Sequence, residues 1–173
     1  MPVELVPGVY WVGAIDWTIR DFHGYQTEDG STYNAYLIVD DKITLIDTVK
    51  EEFIGEMMHR VSEIVDPAKI DYIISNHVEM DHSGSLTEVA AQVKPEKVFC
   101  SPQGKAGLTR HFKVDLPFVE VKTGSELSLG RYNLAFLETP MLHWPDSMMT
   151  YLKEEQLLFS SDGFGAQIGR AHV

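Results

Sequence analysis

Four side chains able to bind a metal, His77, Glu79, Asp81 and His82, lie within six positions and follow an apolar run, Tyr72-Ile73-Ile74. Ser75 and Asn76 end that run. A short apolar segment bounded by polar residues predicts a buried strand, with the ligand types on the loop leaving it. If the chain stays extended past Asn76, positions 77, 79 and 81 project one way, and His82 turns in as the loop bends. After Ser83-Gly84-Ser85, Leu86 to Val93 reads as a helix. Any fold for this chain must therefore bring a core strand to an end beside a cluster of imidazoles and carboxylates.

The ligand chemistry narrows the metal. Two imidazoles and two carboxylates make a mixed nitrogen and oxygen set, and the only cysteine is Cys100. Structural zinc favours cysteine-rich sites, and magnesium or calcium favours all-oxygen sites. A histidine and carboxylate set suits iron, manganese or catalytic zinc. Singly, each residue is more simply a solvated loop side chain; the clustering at a strand end gives the metal reading its weight.

In chain order, residues 8 to 15 read as a first strand, and a polar excursion from Asp16 to Thr32 carries His23 and Gly24. Tyr33 to Val39 and Ile43 to Ile46 form a hairpin about Asp40-Asp41, ending at Asp47-Thr48. Phe53, Ile54, Met57, Met58, Val61, Ile64 and Val65 recur at helical spacing, so 51 to 65 is predicted as an amphipathic helix closed by Pro67. His59 lies among its polar residues and reads as solvated. Lys97 to Cys100 is a strand, with Cys100 a buried small residue, and Gln103 to Phe112 a helix. His111 sits at that helix's C-terminal end, where the dipole favours a partly charged imidazole, and is not counted as a ligand. Pro117 to Val121, Glu126 to Leu129 and Tyr132 to Leu137 are strands. Met148 to Leu152 and Gln156 to Phe159 form a hairpin.

Two further strand ends carry ligand types. His143 follows the strand 132 to 137 in the Pro-flanked loop Thr139 to Ser147, and Asp162 follows Phe159-Ser160-Ser161. His143 alone could be a packed loop histidine, and Asp162 alone a turn residue before Gly163. Mixed hairpins and helical crossovers suggest a layered α/β sandwich rather than a purely parallel sheet. No internal repeat and no Gly-rich phosphate loop is visible.

Composition bounds the function. The chain has 173 residues, 44% of them hydrophobic, enough for one domain with a proper core. A net charge of −12 argues against nucleic acid, because nothing offsets phosphate repulsion. A single cysteine fits a reducing compartment. No stretch is long or apolar enough to span a membrane and the N-terminus carries no secretion signal, so the expected location is cytoplasmic.

His-x-Glu-x-Asp-His, a histidine 61 positions on and an aspartate 19 further resembles the flavodiiron proteins, which reduce dioxygen or nitric oxide. The likeness also covers Asp21 to Tyr25, Thr32 to Ile38, Ile46-Asp47-Thr48 and Phe159 to Asp162, and so runs through nearly all of residues 3 to 165. It implies a metallo-β-lactamase fold, an αββα sandwich. Hydrolases of that fold carry His-x-His-x-Asp-His; here Glu79 stands at the second histidine, a hard anionic oxygen that favours iron over zinc.

The resemblance implies two irons: His77, Glu79 and His143 on the first, Asp81 and His82 on the second, and Asp162 bridging. His23 would be a nearby proton or hydrogen-bond donor, with a purely structural loop hydrogen bond as its other reading. In the family a further histidine completes the second iron and a flavodoxin-like domain with FMN follows. Electrons would arrive from a rubredoxin-like or flavin donor, with FMN supplied across a head-to-tail homodimer. The alternative is a metal-dependent hydrolase of the same fold, using zinc and an activated water.

Residues 167 to 173, Gln-Ile-Gly-Arg-Ala-His-Val, do not continue the family pattern and can be encoded by a widely used sequencing adapter. The expectation is a partial diiron domain over 1 to 166 and a non-native tail over 167 to 173, with the flavodoxin-like domain absent. Such a chain would expose core surface and reduce little oxygen or nitric oxide.

Overall fold

A computed structural model describes residues 1 to 22 and 24 to 164. The strands of the first half are β1 (Val3–Val6), β2 (Val9–Trp11), β3 (Ala14–Asp16), β4 (Asp21–Phe22), β5 (Tyr25–Gln26), β6 (Ser31–Tyr33), β7 (Tyr36–Ile38) and β8 (Thr44–Ile46). Then come α1 (Ile54–Ser62), β9 (Tyr72–Ile74), α2 (Met80–Ser83), α3 (Leu86–Val93), β10 (Lys97–Cys100) and α4 (Pro102–Phe112). Strands β11 (Phe118–Glu120), β12 (Glu126–Ser128), β13 (Asn133–Glu138), β14 (Met148–Leu152) and β15 (Leu157–Phe159) follow.

Two sheets pack face to face. The larger runs β1-β2-β7-β8-β9-β10-β11, and the smaller runs β12-β13-β14-β15. Strands β8 to β11 are parallel. Every residue of β8 and of β9 is buried, as expected when both faces of a parallel sheet are covered. Alternate side chains serve different layers. Leu37, Leu45, Ile73 and Val98 pack with Met57, Val61, Val89 and Leu108 of the helices. Their neighbours Ile38, Ile46, Ile74 and Phe99 pack with Leu134, Phe136, Leu152 and Phe159 of the second sheet. The order of layers is helix, sheet, sheet. The fourth layer of an αββα sandwich is not seen among the described residues, and Leu137 and Leu158 are exposed on the second sheet's outer side.

Local sequence sets the helix ends. Ser101 caps α4 by accepting the Gly104 N–H at 2.9 Å, with Pro102 at the first helical position. Lys94 and Lys113 end α3 and α4 in the left-handed conformation, each closing a final turn.

Several predicted boundaries shift. The strand expected over 8 to 15 is two strands, β2 and β3, and the chain begins with β1, joined to β2 through Pro7 and Gly8, whose φ is +79°. The polar excursion before Thr32 contains the short β4–β5 ribbon. Tyr33 pairs with Ala14 rather than starting β7. The helix expected over 51 to 65 opens with a 3-10 turn and ends at Ser62, because Asp66 and Pro67 start a separate turn.

Asp40 ties the two sheets together. Its carboxylate accepts the N–H groups of Arg131 at 3.1 Å and Tyr132 at 2.7 Å. Asp40→Ala leaves both amides without that partner. We expect a loss of about 1–3 kcal/mol in urea unfolding, with metal binding unchanged.

Candidate metal centre

Topology puts the ligand types at one rim. Strands β8, β9 and β10 are parallel, so Asp47, the His77 loop and Ser101 all leave at the same end of the sheet. Strands β13 and β15 both pair antiparallel with β14, so they run alike and also end together. The loop after β13 carries His143, and the turn after β15 carries Asp162.

Beyond Asn76 the extended run on which the alternation of 77, 79 and 81 depended stops before Asp81. His77 and Glu79 precede a single helical turn, α2, and that turn carries Asp81 and His82. Three contacts hold it. The Thr48 N–H and Oγ1 donate to the His82 carbonyl at 2.7 and 2.9 Å. Ser83 Oγ donates to the Val78 carbonyl at 2.6 Å. Gly84 is required behind it, since a Cβ there would run into the Met80 carbonyl oxygen.

The six side chains converge in two groups that share one member. His77, Glu79, His143 and Asp162 offer ligand atoms within 4.8 Å of one another, and so do Asp81, His82 and Asp162. Glu79 Oε2 lies 3.1 Å from Nε2 of both His77 and His143. Asp162 faces both groups. Its Oδ2 is 3.8 Å from His77 Nε2 and 3.6 Å from His143 Nε2, while its Oδ1 is 2.9 Å from His82 Nε2. Asp81 Oδ2 is 3.4 Å from His82 Nε2. His77, Asp81 and His82 are buried, and the His143 side chain is 37% exposed. His23 lies outside the described residues. His59 is exposed beside Glu63, and His111 lines a neighbouring cavity without joining either ligand group. Cys100 is buried in the helix-side core, and that burial pushes its thiol up to about 12.

Charge governs the chemistry of the cluster. Two like charges 4 Å apart repel by about 4 kcal/mol at an effective dielectric of 20, so three carboxylates here need cations. Burial alone would lower the His77 pKa, but hydrogen bonds to Asp146 and Glu79 outweigh it and raise it to about 9. Burial likewise opposes His82, yet Asp162 and Asp81 raise its pKa well above the ordinary value. Asp162 would be raised by burial and is instead held low, chiefly by His82. Ring protons thus meet the demand for positive charge, and a metal cation could replace them. The donor set fits such a cation: three imidazole Nε2 atoms and three carboxylates face inward, and the buried Asp81 Oδ1 has no hydrogen-bond partner among the described residues.

Two supporting residues were not singled out as site residues in the sequence, although Asp47 lies in a stretch that carries the family resemblance. Asp146 accepts His77 Nδ1–H at 2.8 Å and the Val78 N–H at 2.8 Å. Asp47, at the end of β8, accepts the Asn76 N–H at 2.6 Å and its Nδ2–H at 3.1 Å; Asn76 Oδ1 in turn accepts Thr150 Oγ1–H at 2.8 Å. These pairings span 29 to 74 residues, beyond the reach of spacing arguments. Beside the cluster opens a cavity of about 570 Å³, walled by Ile19, Phe22, Val78, Met80 and Trp144 and reaching Glu79 and Asp81.

Together the fold and the cluster define a class: a metallo-β-lactamase-like sandwich with histidines and carboxylates gathered at its strand ends. A family model described as "ODP family beta lactamase" matches residues 32–173. The chain belongs to that family, and flavodiiron proteins are among its solved relatives. It is similar to a nitric oxide reductase of Moorella thermoacetica, 48% identical over 170 residues, 96% of this chain and 43% of the relative. A rubredoxin-oxygen oxidoreductase of Megalodesulfovibrio gigas is 47% identical over 167 residues, 95% of this chain and 42% of the relative. The crystal structure of the flavodiiron protein from Giardia intestinalis matches with a TM-score of 0.91 at 39% identity, over 95% of this chain and 41% of that one. The chain therefore spans about two fifths of the length of these relatives.

Asp47 gives a pH test. Its burial raises the carboxyl pKa from 3.8 to about 6, against the pull of His82 and the Asn76 hydrogen bonds. A raised folded-state value means that Asp47's contribution to stability is fully present below pH 3.8 and is lost as pH rises through about 6. In the chain without added metal, the Asp47 carboxyl carbon should titrate near pH 6 by NMR. A midpoint near 4 would show that the site is more solvated than its burial implies.

Proposed function

We propose that this chain is the catalytic domain of a diiron oxidoreductase that reduces dioxygen to water, nitric oxide to nitrous oxide, or both. The observation that carries the reading is Asp162, with one oxygen turned to each ligand group. That arrangement suits a carboxylate shared between two cations. His77, Glu79 and His143 would hold the first iron, Asp81 and His82 the second, and Asp162 both. The mixed nitrogen and oxygen donors suit iron, and Glu79, where zinc hydrolases of the fold carry a histidine, tips the set toward it. Relatives named nitric oxide reductase and rubredoxin-oxygen oxidoreductase support the redox reading over hydrolysis.

When bound, two ferrous irons would supply electrons and open positions for a small diatomic substrate. The chain's own residues do the remainder. Asp146 accepts the His77 Nδ1–H, on the ring nitrogen turned from the cluster. The α2 turn, pinned by Thr48 and Ser83, presents Asp81 and His82 on adjacent positions. Phe22, Val78, Met80 and Trp144 give the cavity beside the cluster an apolar wall. His23 is assigned the delivery of a proton or hydrogen bond.

In the whole protein we assign electron supply to the FMN of a flavodoxin-like domain, fed by a rubredoxin-like or flavin donor and delivered across a head-to-tail homodimer. No helix among the described residues is long and apolar enough to cross a membrane. Cytoplasmic location and the lack of a nucleic-acid or membrane partner belong to the same proposal.

Anaerobic titration with ferrous iron, read by metal analysis and calorimetry, tests this directly. Two irons per chain are expected, the tighter at His77, Glu79 and His143, which offer more ligands. Asp162→Ala should weaken both, and Asp81→Ala only the second. Binding of a single zinc with ester or lactam hydrolysis would replace the proposal with the hydrolase reading.

A further inference from the structure

His77 is the most buried of the site histidines, and both of its ring nitrogens are engaged. Nε2 faces the cluster. Nδ1 faces away from it, to Asp146 Oδ2 at 2.8 Å. That same oxygen accepts the Val78 N–H at 2.8 Å, so the carboxylate grips both the ring and the backbone just after it. Asp146 is fixed in its turn, because its carbonyl accepts the Ser101 hydroxyl at 2.8 Å, and Ser101 caps α4. Trp144, two residues before Asp146, sets its ring edge-on to His77 with centroids 5.6 Å apart. His143 belongs to the same loop.

We propose that Asp146 is a positioning residue for the metal centre: it fixes the tautomer and ring plane of His77, leaving Nε2 free of hydrogen and aimed at the first metal. One loop then supplies a ligand, His143, and also orients a second ligand 69 residues earlier in the chain. The inference rests on the two-metal reading above. The chemistry is general: an imidazole that donates its outer N–H to a carboxylate is a better and more strictly oriented ligand, and loss of such a partner weakens metal binding by about 10–100-fold. Glu79 cannot do this work, since it meets His77 on the metal-facing nitrogen.

The test uses the intact chain with Asp146→Ala and Asp146→Asn, and reads two signals. Zinc, a diamagnetic probe, is added to protein carrying ¹⁵N-labelled histidine, and the tautomer of His77 is read by long-range ¹H–¹⁵N NMR. Ferrous iron affinity is measured separately at each of the two positions. The wild-type chain should show a proton on Nδ1 and metal on Nε2. In Asp146→Ala the Nδ1 proton signal should lose its downfield, hydrogen-bonded position, and the first iron should bind about 10–100-fold more weakly, with the second little changed. Asp146→Asn keeps an acceptor oxygen for both bonds but not the charge, so it should keep the tautomer and lose affinity at the first iron only several-fold. If the alanine variant does not fold, the asparagine variant decides on the same readouts: a several-fold loss confined to the first iron supports the role.

Wild-type tautomer and wild-type affinity in Asp146→Ala would overturn the proposal. Equal weakening of both irons with a lowered Tm and an unchanged tautomer would also overturn it, as the mark of a merely structural residue. If the wild-type chain binds neither metal, the two-metal reading fails. The tautomer is then read without metal at alkaline pH, where loss of the Nδ1–H form in Asp146→Ala still supports the clamp and its persistence rejects it.

Discussion

Electrostatic demand at one rim of the sandwich organises this molecule. Glu79, Asp81 and Asp162 converge with His77, His82 and His143, and such a group keeps its shape only if every member is held from behind. The backing is visible for the most buried members. His77 leans on Asp146, the His82 carbonyl on Thr48, and the loop between them on Ser83 and Gly84. These restraints come from three strand ends of the larger sheet and from the loops of the smaller one. The two sheets must therefore be docked before the cluster exists.

That dependence explains the buried polar chain beneath the site. Asp47, Asn76 and Thr150 connect β8, the loop after β9, and β14 through side-chain hydrogen bonds in a setting where an unpaired polar group is costly. Met148 adds its N–H to the Asn76 carbonyl at 3.0 Å. A sheet-to-sheet interface made only of Ile46, Ile74, Phe136 and Phe159 would be stable but free to slide. The polar chain sets the register that lets His143 and Asp162 meet His77 and His82.

Much of this was legible in the sequence. The spacing from His77 to His82 and the strand-end positions of His143 and Asp162 singled out six residues that the fold brings together. Strong periodicity gave α3 and β10 their bounds. What escaped was short or long-range. The α2 turn is four residues with no repeat to detect, and tertiary bonds from Thr48 create it. Asp146 and Asp47 act on partners far along the chain, so spacing did not give their roles, although Asp47 fell within a stretch that carries the resemblance. The β1–β2 hairpin was missed although Pro7-Gly8 is a turn signal, because Val3 to Val6 is largely exposed and shows no buried run. His23 was singled out from the sequence and lies outside the described residues.

The central claim is that Asp162 joins two metals held by separate ligand groups. Crystals of the iron-loaded chain, grown without oxygen and measured on both sides of the iron absorption edge, would decide it. Two anomalous peaks are expected, one among His77, Glu79 and His143 and one beside Asp81 and His82, with an Asp162 oxygen on each. A single peak, or density with an edge at zinc rather than iron, would contradict it.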